Sequence, residues 1–222
     1  YKRQSQIFNC DVLLVPVGRT DVGVHSEMSV CHCDLAFKID ESRVKSGINS
    51  VVVNYGIYII DIALVDASFH SLSDAVLRYY DYFVSFQPLP NYLLHSVSMI
   101  SMQPGFFPTD EELCQLFVGE RNFFSLCNFG ASTRTYIRSI EKISFFEREY
   151  HSLFDQTIQI YQFKIACNGF LYKMIRHIVG ITLQSMRNFT NMSRLFDYFM
   201  ANRPLKYEIA PVQGLHLSKI KY

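Results

Sequence analysis

Eight consecutive residues, Gly18-Arg19-Thr20-Asp21-Val22-Gly23-Val24-His25, bring a cation, a hydroxyl, a carboxylate and a histidine together between two glycines. They follow the apolar run Val12–Val17 and precede an alternating segment. Asp21 therefore falls in a glycine-bracketed bend between two predicted strands, where backbone can approach a ligand closely. A carboxylate so placed could serve as a metal ligand, a general base or a nucleophile. The plainer alternative is an Asp that closes its turn by bonding local backbone, and for a lone bend that reading wins.

Three further places set polar groups in apolar surroundings. Arg78, Tyr80 and Tyr82 share one face of a predicted strand, and an interior strand rarely carries an arginine unless that face meets something polar. A tyrosine ring can stack on a base and its hydroxyl can handle a proton; an aromatic core with Arg78 at its rim stands equally well. Lys173 and Arg176, at i and i+3, share a face of a predicted helix otherwise rich in apolar residues. A solvated helix side is the alternative. Phe170-Leu171-Tyr172 and Ile178-Val179-Gly180-Ile181 leave little of that helix for solvent, and a buried guanidinium needs a carboxylate partner. Asp21 is the candidate, and the pairing would keep it ionised despite burial. Arg134 lies in a Ser/Thr-rich loop and Arg138 opens the strand after it; the loop either binds phosphate or is simply solvated.

These residues must be held by elements of which periodicity gives the outline. Residues 27–37 read as a strand. Val44, Ile48, Val51 and Val52 recur at helical spacing after Glu41 and Ser42, and Ile57–Val65 reads as a buried strand. Val76–Phe86 is the Tyr-bearing strand. Residues 87–108 contain four prolines and read as a linker between two halves. Thr109 and Glu112 form a predicted capping box ahead of Leu113, Leu116 and Phe117, with Gly119 as the stop. Ile137–Phe146 and Thr157–Ala166 read as a hairpin turning near Glu147-Arg148-Glu149. Phe170–Met186 is a helix with an inner stripe of Leu171, Met174, Ile175, Ile178 and Thr182. A helix over 191–201 and a closing strand over Leu215–Tyr222 complete an α+β order.

Composition narrows the function classes. At 222 residues and 49% hydrophobic, the chain can bury a sizeable core. A net charge of +1 means that any nucleic-acid face must be a local basic patch. None of the six cysteines forms a CxxC pair, so no structural zinc site is expected. His32, between Cys31 and Cys33, would face away from both thiols on a strand. The thiols suit an intracellular, reducing compartment, whether cytoplasm, nucleus or organelle. No apolar run reaches membrane-spanning length, and no membrane association is expected.

The octapeptide resembles the signature of the TruA family of tRNA pseudouridine synthases. Four other segments resemble the family's motifs in the family's order: Gly47-Ile48-Asn49; Phe69-His70 followed by Arg78-Tyr79-Tyr80-Asp81-Tyr82; Phe170–Gly180 with its Met174-Ile175-Arg176; and Ala210-Pro211-Val212-Gln213-Gly214-Leu215-His216-Leu217. The resemblance implies the pseudouridine synthase fold, with two similar α/β halves and a mostly antiparallel mixed sheet flanked by helices. It also implies a homodimer, tRNA as partner, anticodon-stem uridines as targets, and no metal or other cofactor. By resemblance Asp21 is the catalytic aspartate, Tyr80 the active-site tyrosine that stacks on the base and handles a proton, and Arg176 the basic partner of the aspartate. Arg19 matches an arginine that positions the flipped nucleotide, and Thr20, His25, Arg78, Arg138 and Lys173 join it as expected substrate-binding residues.

On this reading residues 1–100 form a half carrying the aspartate loop and aromatic strand, and residues 101–222 a half carrying the basic helix and closing strand. Only 17 residues precede Gly18 and the chain has no Trp, so the family's first strand and helix are expected to be missing. Ser71-Leu72-Ser73-Asp74 stands where the family carries an arginine after Phe-His. Arg121-Asn122-Phe123 stands where it carries His-Asp-Phe. These departures leave a second reading open, a tRNA-binding or chaperone-like paralogue that keeps the fold without catalysis. A metal-dependent hydrolase lacks a ligand cluster.

Overall fold

The computed structural model describes residues 12–18, 20–36, 40–128, 133–152, 156–188, 192 and 207–222. The chain divides into two compact units. One holds the described residues among 1–19 and 30–74; the other holds 20–29 and 75–222.

In the first unit, β1 (Val15–Pro16) pairs antiparallel with a second short strand, Cys31–His32. The strand expected over 27–37 is only these two residues long, in keeping with Pro16, which has no N–H to extend the ladder. Ser71, fully buried, ties this corner together: its hydroxyl donates to Val15 O at 2.7 Å and its N–H to His32 Nδ1 at 3.1 Å. A helix follows, α1 (Glu41–Val52), capped by the Asp40 carboxylate, which accepts from Ser42 N and Arg43 N, each at 3.1 Å. The expected strand over Ile57–Val65 is absent. The segment runs extended beside α1, with Ile59 bonded both ways to the Asn49 amide and Leu64 N donating to Glu41. Side chains thus take backbone groups that a ladder would have used, and Ile57, Tyr58, Ile60, Leu64 and Val65 are exposed.

The second unit is built on a seven-stranded sheet. In chain order its strands are β2 (His25–Ser26), β4 (Leu77–Ser85), β5 (Ser98–Met99), β6 (Gly119–Asn122), β7 (Ile137–His151), β8 (Thr157–Cys167) and β9 (Leu215–Lys221), Cys31–His32 being β3. They lie side by side as β2-β9-β4-β8-β7-β6, with β5 against the end of β4; β2–β9 and β4–β5 are parallel and the other pairs antiparallel. This is the expected α+β class with a mostly antiparallel sheet. The division does not fall near residue 100, because β4 lies between β8 and β9 in one ladder.

Helix α2 (Asp110–Phe117) begins with the expected capping box and buries Leu113, Leu116 and Phe117. Helix α3 (Met174–Asn188) packs Met174, Ile175, Ile178 and Thr182 of the expected stripe into the core formed with Tyr82, Val84, Ile143 and Phe163, while Leu171 is buried just ahead of the helix. It starts four residues later than periodicity predicts. Lys173 sits at φ +61, outside the helix, while its carbonyl accepts the first helical bond from His177 N at 3.1 Å. Residues 87–108 are no free linker: Leu89 and Val97 join Ile158 and Ile160 in a cluster of their own, and β5 extends the sheet. Glu147-Arg148-Glu149 is paired within β7, and the turn lies beyond, where Ser152 N donates to Gln156 O. Apart from residue 192, the predicted helix over 191–201 lies outside the described residues.

Two histidines, His216 buried and His177 partly buried, are locked in polar contacts. His216 Nε2 lies 2.8 Å from Ser96 O, and His177 uses both ring nitrogens, 2.6 Å from the Tyr207 hydroxyl and from Asn128 Oδ1. Burial pulls the His177 imidazole down to about 4, with the Arg176 and Lys173 cations acting in the same direction; burial also lowers His216. The unfolded chain therefore takes up protons below its ordinary histidine value of about 6.5 while the folded chain does not. The stability present above that value is lost as pH falls toward about 4. The thermal midpoint, followed by circular dichroism, is expected to decline across that window, and a flat profile there contradicts the burial of these rings. Gly180 gives a second check. A Cβ at this position would stand 2.4 Å from Glu208 O. Gly180→Ala is expected to cost about 1–3 kcal/mol in denaturant unfolding, since backbone must move.

Candidate active site

Asp21 occupies the bend that precedes β2. Val24 N donates to Asp21 O at 3.1 Å, and Gly23 takes φ +91 against the Val212 side chain. The main chain thus closes the turn and the carboxylate is left to point elsewhere. It meets Arg176 from the first turn of α3, whose Nη1 donates to Asp21 Oδ2 at 3.3 Å. The pair is partly shielded, with the arginine side chain 13% and the aspartate 26% exposed. The rest of the guanidinium is held by backbone: Arg176 Nε donates to Ala210 O at 2.7 Å, and Ala210 N donates to Arg176 O at 3.0 Å. The two residues paired by the sequence argument, 155 positions apart, are in contact.

Tyr80 reaches the same field from β4. Burial pushes its phenol above the ordinary range, the Arg78 guanidinium draws it back, and the Asp21 carboxylate raises it again. The ring meets Phe170 edge-on, with centroids 5.2 Å apart. Tyr82, two residues on, is wholly buried and serves as an anchor: its hydroxyl donates to Pro211 O and is bonded to Ser98 Oγ, both at 2.8 Å. Ser98 Oγ in turn accepts from Gly214 N at 3.0 Å. One short segment, Ala210–Gly214, therefore holds Arg176, fixes Tyr82 and backs the Asp21 bend through Val212.

The other expected site residues divide. Arg78 Nη1 donates to Asn168 O at 2.8 Å. Arg138 is bonded within its own loop, to Thr135 O at 2.9 Å, Ile137 O at 2.6 Å and Thr133 Oγ1 at 3.2 Å, and its Nε approaches Gly169. Lys173 ends the same 168–173 turn, its Nζ 5.0 Å from the Tyr172 ring centroid. It precedes α3 in a left-handed conformation, so it does not share a helical face with Arg176 as the spacing predicted. These three cations collect around the turn that presents Phe170 to Tyr80. Thr20 is exposed beside Asp21. His25 stacks on His216 at 4.7 Å and bonds the His95 carbonyl through Nε2, so its ring is engaged with protein. Arg19 lies outside the described residues.

Sequence reasoning missed Phe170, Ser98 and the partners of His177. The positions of Asn128 and Tyr207 in sequence carry no signal linking them to a helix so far from one of them. Among the described residues, no group of three or more His, Cys, Asp or Glu side chains could hold a metal ion, and no helix is long and apolar enough to cross a membrane.

A family model described as tRNA pseudouridine synthase matches residues 113–222. Curated relatives extend the similarity over nearly the whole chain. A tRNA pseudouridine synthase A of Wolbachia pipientis is 28% identical over 225 residues, covering 100% of this chain and 88% of the relative. The protein of that name from Streptococcus agalactiae is 27% identical over 213 residues, covering 96% and 80%. That of a Geobacillus strain is 29% identical over 213 residues, covering 92% and 79%. Over residues 113–222 the chain thus matches the tRNA pseudouridine synthase family model, and over nearly its whole length it is similar to proteins named tRNA pseudouridine synthase A.

Proposed function

We propose that this chain isomerises uridine to pseudouridine in tRNA, at anticodon stem-loop positions, as a homodimer in a reducing intracellular compartment. The observation that carries the reading is the Asp21–Arg176 pair, with the partly buried Tyr80 phenol in the field of the Asp21 carboxylate. The reaction breaks the bond from uracil N1 to ribose C1′, turns the base and joins C5 to C1′. Substrate and product are isomers, so no electrons are gained or lost and no cofactor is called for. A carboxylate assists the cleavage by one of two routes, attack at C1′ or removal of the C2′ proton, and Asp21 is the group placed to follow either.

Chemistry on the base requires that it leave its stack. Tyr80 offers a ring to receive it, braced edge-on by Phe170, and a protonated hydroxyl to give or relay a proton during formation of the new bond. Arg176 compensates the carboxylate's charge in a partly dry site. RNA is read largely by shape and phosphate. Arg78, Arg138 and Lys173 around the 168–173 turn supply the local basic patch that a nearly neutral chain needs, with the exposed Thr20 next to Asp21. The reducing compartment fits the unpaired thiols of Cys31, Cys33, Cys114, Cys127 and Cys167.

Incubation with tRNA followed by pseudouridine mapping tests the reading. The chain is expected to form pseudouridine, and Asp21→Asn to lower the rate by at least about 10³-fold with an unchanged circular dichroism spectrum. Binding of tRNA by the unmodified chain without any pseudouridine would favour the non-catalytic paralogue instead. Tyr80→Phe keeps the ring and removes the hydroxyl. It is expected to lower kcat by about 10²-fold with little change in KM, and full activity would remove the proton role from Tyr80.

A further inference from the structure

His177 follows Arg176 on α3, yet it bonds neither Asp21 nor Tyr80. Both its ring nitrogens are used inside the protein. The Tyr207 hydroxyl lies 2.6 Å from Nδ1, with the tyrosine ring edge-on at 5.5 Å, and Asn128 Oδ1 lies 2.6 Å from Nε2. A neutral imidazole satisfies both: Tyr207 donates to Nδ1, with Ser125 O at 3.5 Å as the more distant acceptor, and Nε2–H donates to Asn128. Asn128 is itself fixed, its backbone N donating to Tyr172 O at 3.0 Å.

Three residues beyond Tyr207 comes Ala210, which exchanges two bonds with Arg176, one through its own N–H and one through its carbonyl to Nε. Between them, Gly180 lets the Glu208–Ala210 backbone lie directly on α3. The 207–210 segment is thus pinned to α3 at both ends, by His177 and by Arg176, and only the second pin touches the site. An arginine side chain has several rotatable bonds, and its rotamer freedom is worth about 2 kcal/mol. Bonding at Nε sets the plane of the guanidinium and so the direction of Nη1. We propose that His177 is a positioning residue: by holding Tyr207, with Asn128 bracing the ring, it keeps Ala210 where its carbonyl aims Arg176 at Asp21.

The kinetic part of the test rests on the pseudouridine synthase reading; the spectroscopic part does not. His177→Phe and Tyr207→Phe, each in the whole chain, are compared with the parent in steady-state tRNA pseudouridylation and in solvent exchange of the Arg176 Nε–H by NMR. Both variants are expected to lower kcat about ten- to a hundredfold with KM unchanged within about twofold, the scale of a small misplacement of a reacting group. Both are expected to speed exchange of the Arg176 Nε–H at least about tenfold, which a merely space-filling histidine would not do. Should His177→Phe fail to fold, Tyr207→Phe, which removes one oxygen, decides alone. Unchanged exchange in Tyr207→Phe, or unchanged kcat, overturns the proposal. If the parent makes no pseudouridine, the functional reading fails and the exchange measurement still judges His177.

Discussion

One constraint runs through this protein: the Arg176 guanidinium, largely withdrawn from water, must be compensated by the groups around it. A carboxylate alone would not suffice, because the remaining N–H groups would stay unsatisfied. The Asp21 carboxylate takes one of them and the Ala210 carbonyl takes another. To bring those two acceptors to one arginine, the bend before β2 and the segment before β9 must both lie on the N-terminal turn of α3. The parallel pairing of β2 with β9, His25 opposite His216, is what makes that meeting possible. The sheet order, with β9 between β2 and β4, then sets Tyr80 and the Asp21 bend on neighbouring paths.

The Ala210–Gly214 segment shows how little chain is needed to carry several constraints. Ala210 contributes its N–H and carbonyl, Pro211 its carbonyl, Val212 a methyl-bearing side chain and Gly214 its N–H. Gly214 is required for a further reason. A Cβ there would stand 2.3 Å from Phe83 O, so the segment can approach β4 only without one. Tyr82 is the buried counterpart of Tyr80. It spends its hydroxyl on structure, and by anchoring β4 it fixes the place from which Tyr80 extends.

How far all this was legible in the sequence depended on whether burial alone decided it. Arg176 could be paired with Asp21 because flanking apolar residues made an unpaired guanidinium untenable, and the capping box at Thr109 and the stripe of α3 are local patterns with local causes. The strand of Tyr80 and Tyr82 declared itself by composition. Ile57–Val65 failed because a β-branched run specifies extended backbone but not a ladder partner, and Asn49 and Glu41 side chains supply the bonds instead. Lys173 failed because helical spacing says nothing of where the first turn begins, and its φ of +61 is set by the turn from β8. The prolines of 87–108 marked irregular backbone correctly, but irregular is not detached: Val97 and Ser98 are buried against the sheet. His177 was visible, while Asn128 and Tyr207 were not, since a buried hydrogen bond between distant segments leaves no periodic trace.

The pairing of β2 with β9 also orders events in time. A ribosome delivers the Asp21 bend early, and everything that completes it, from α3 through Ala210 to β9, emerges much later. During that interval neither Arg176 nor β9 is there to meet the Asp21 bend and β2. Closing so long a loop is entropically slow, and the exposed edge invites the wrong strand. The Asp21–Arg176 contact is therefore one of the last features to form. An unfinished chain carries the motif without the partner that orients its carboxylate.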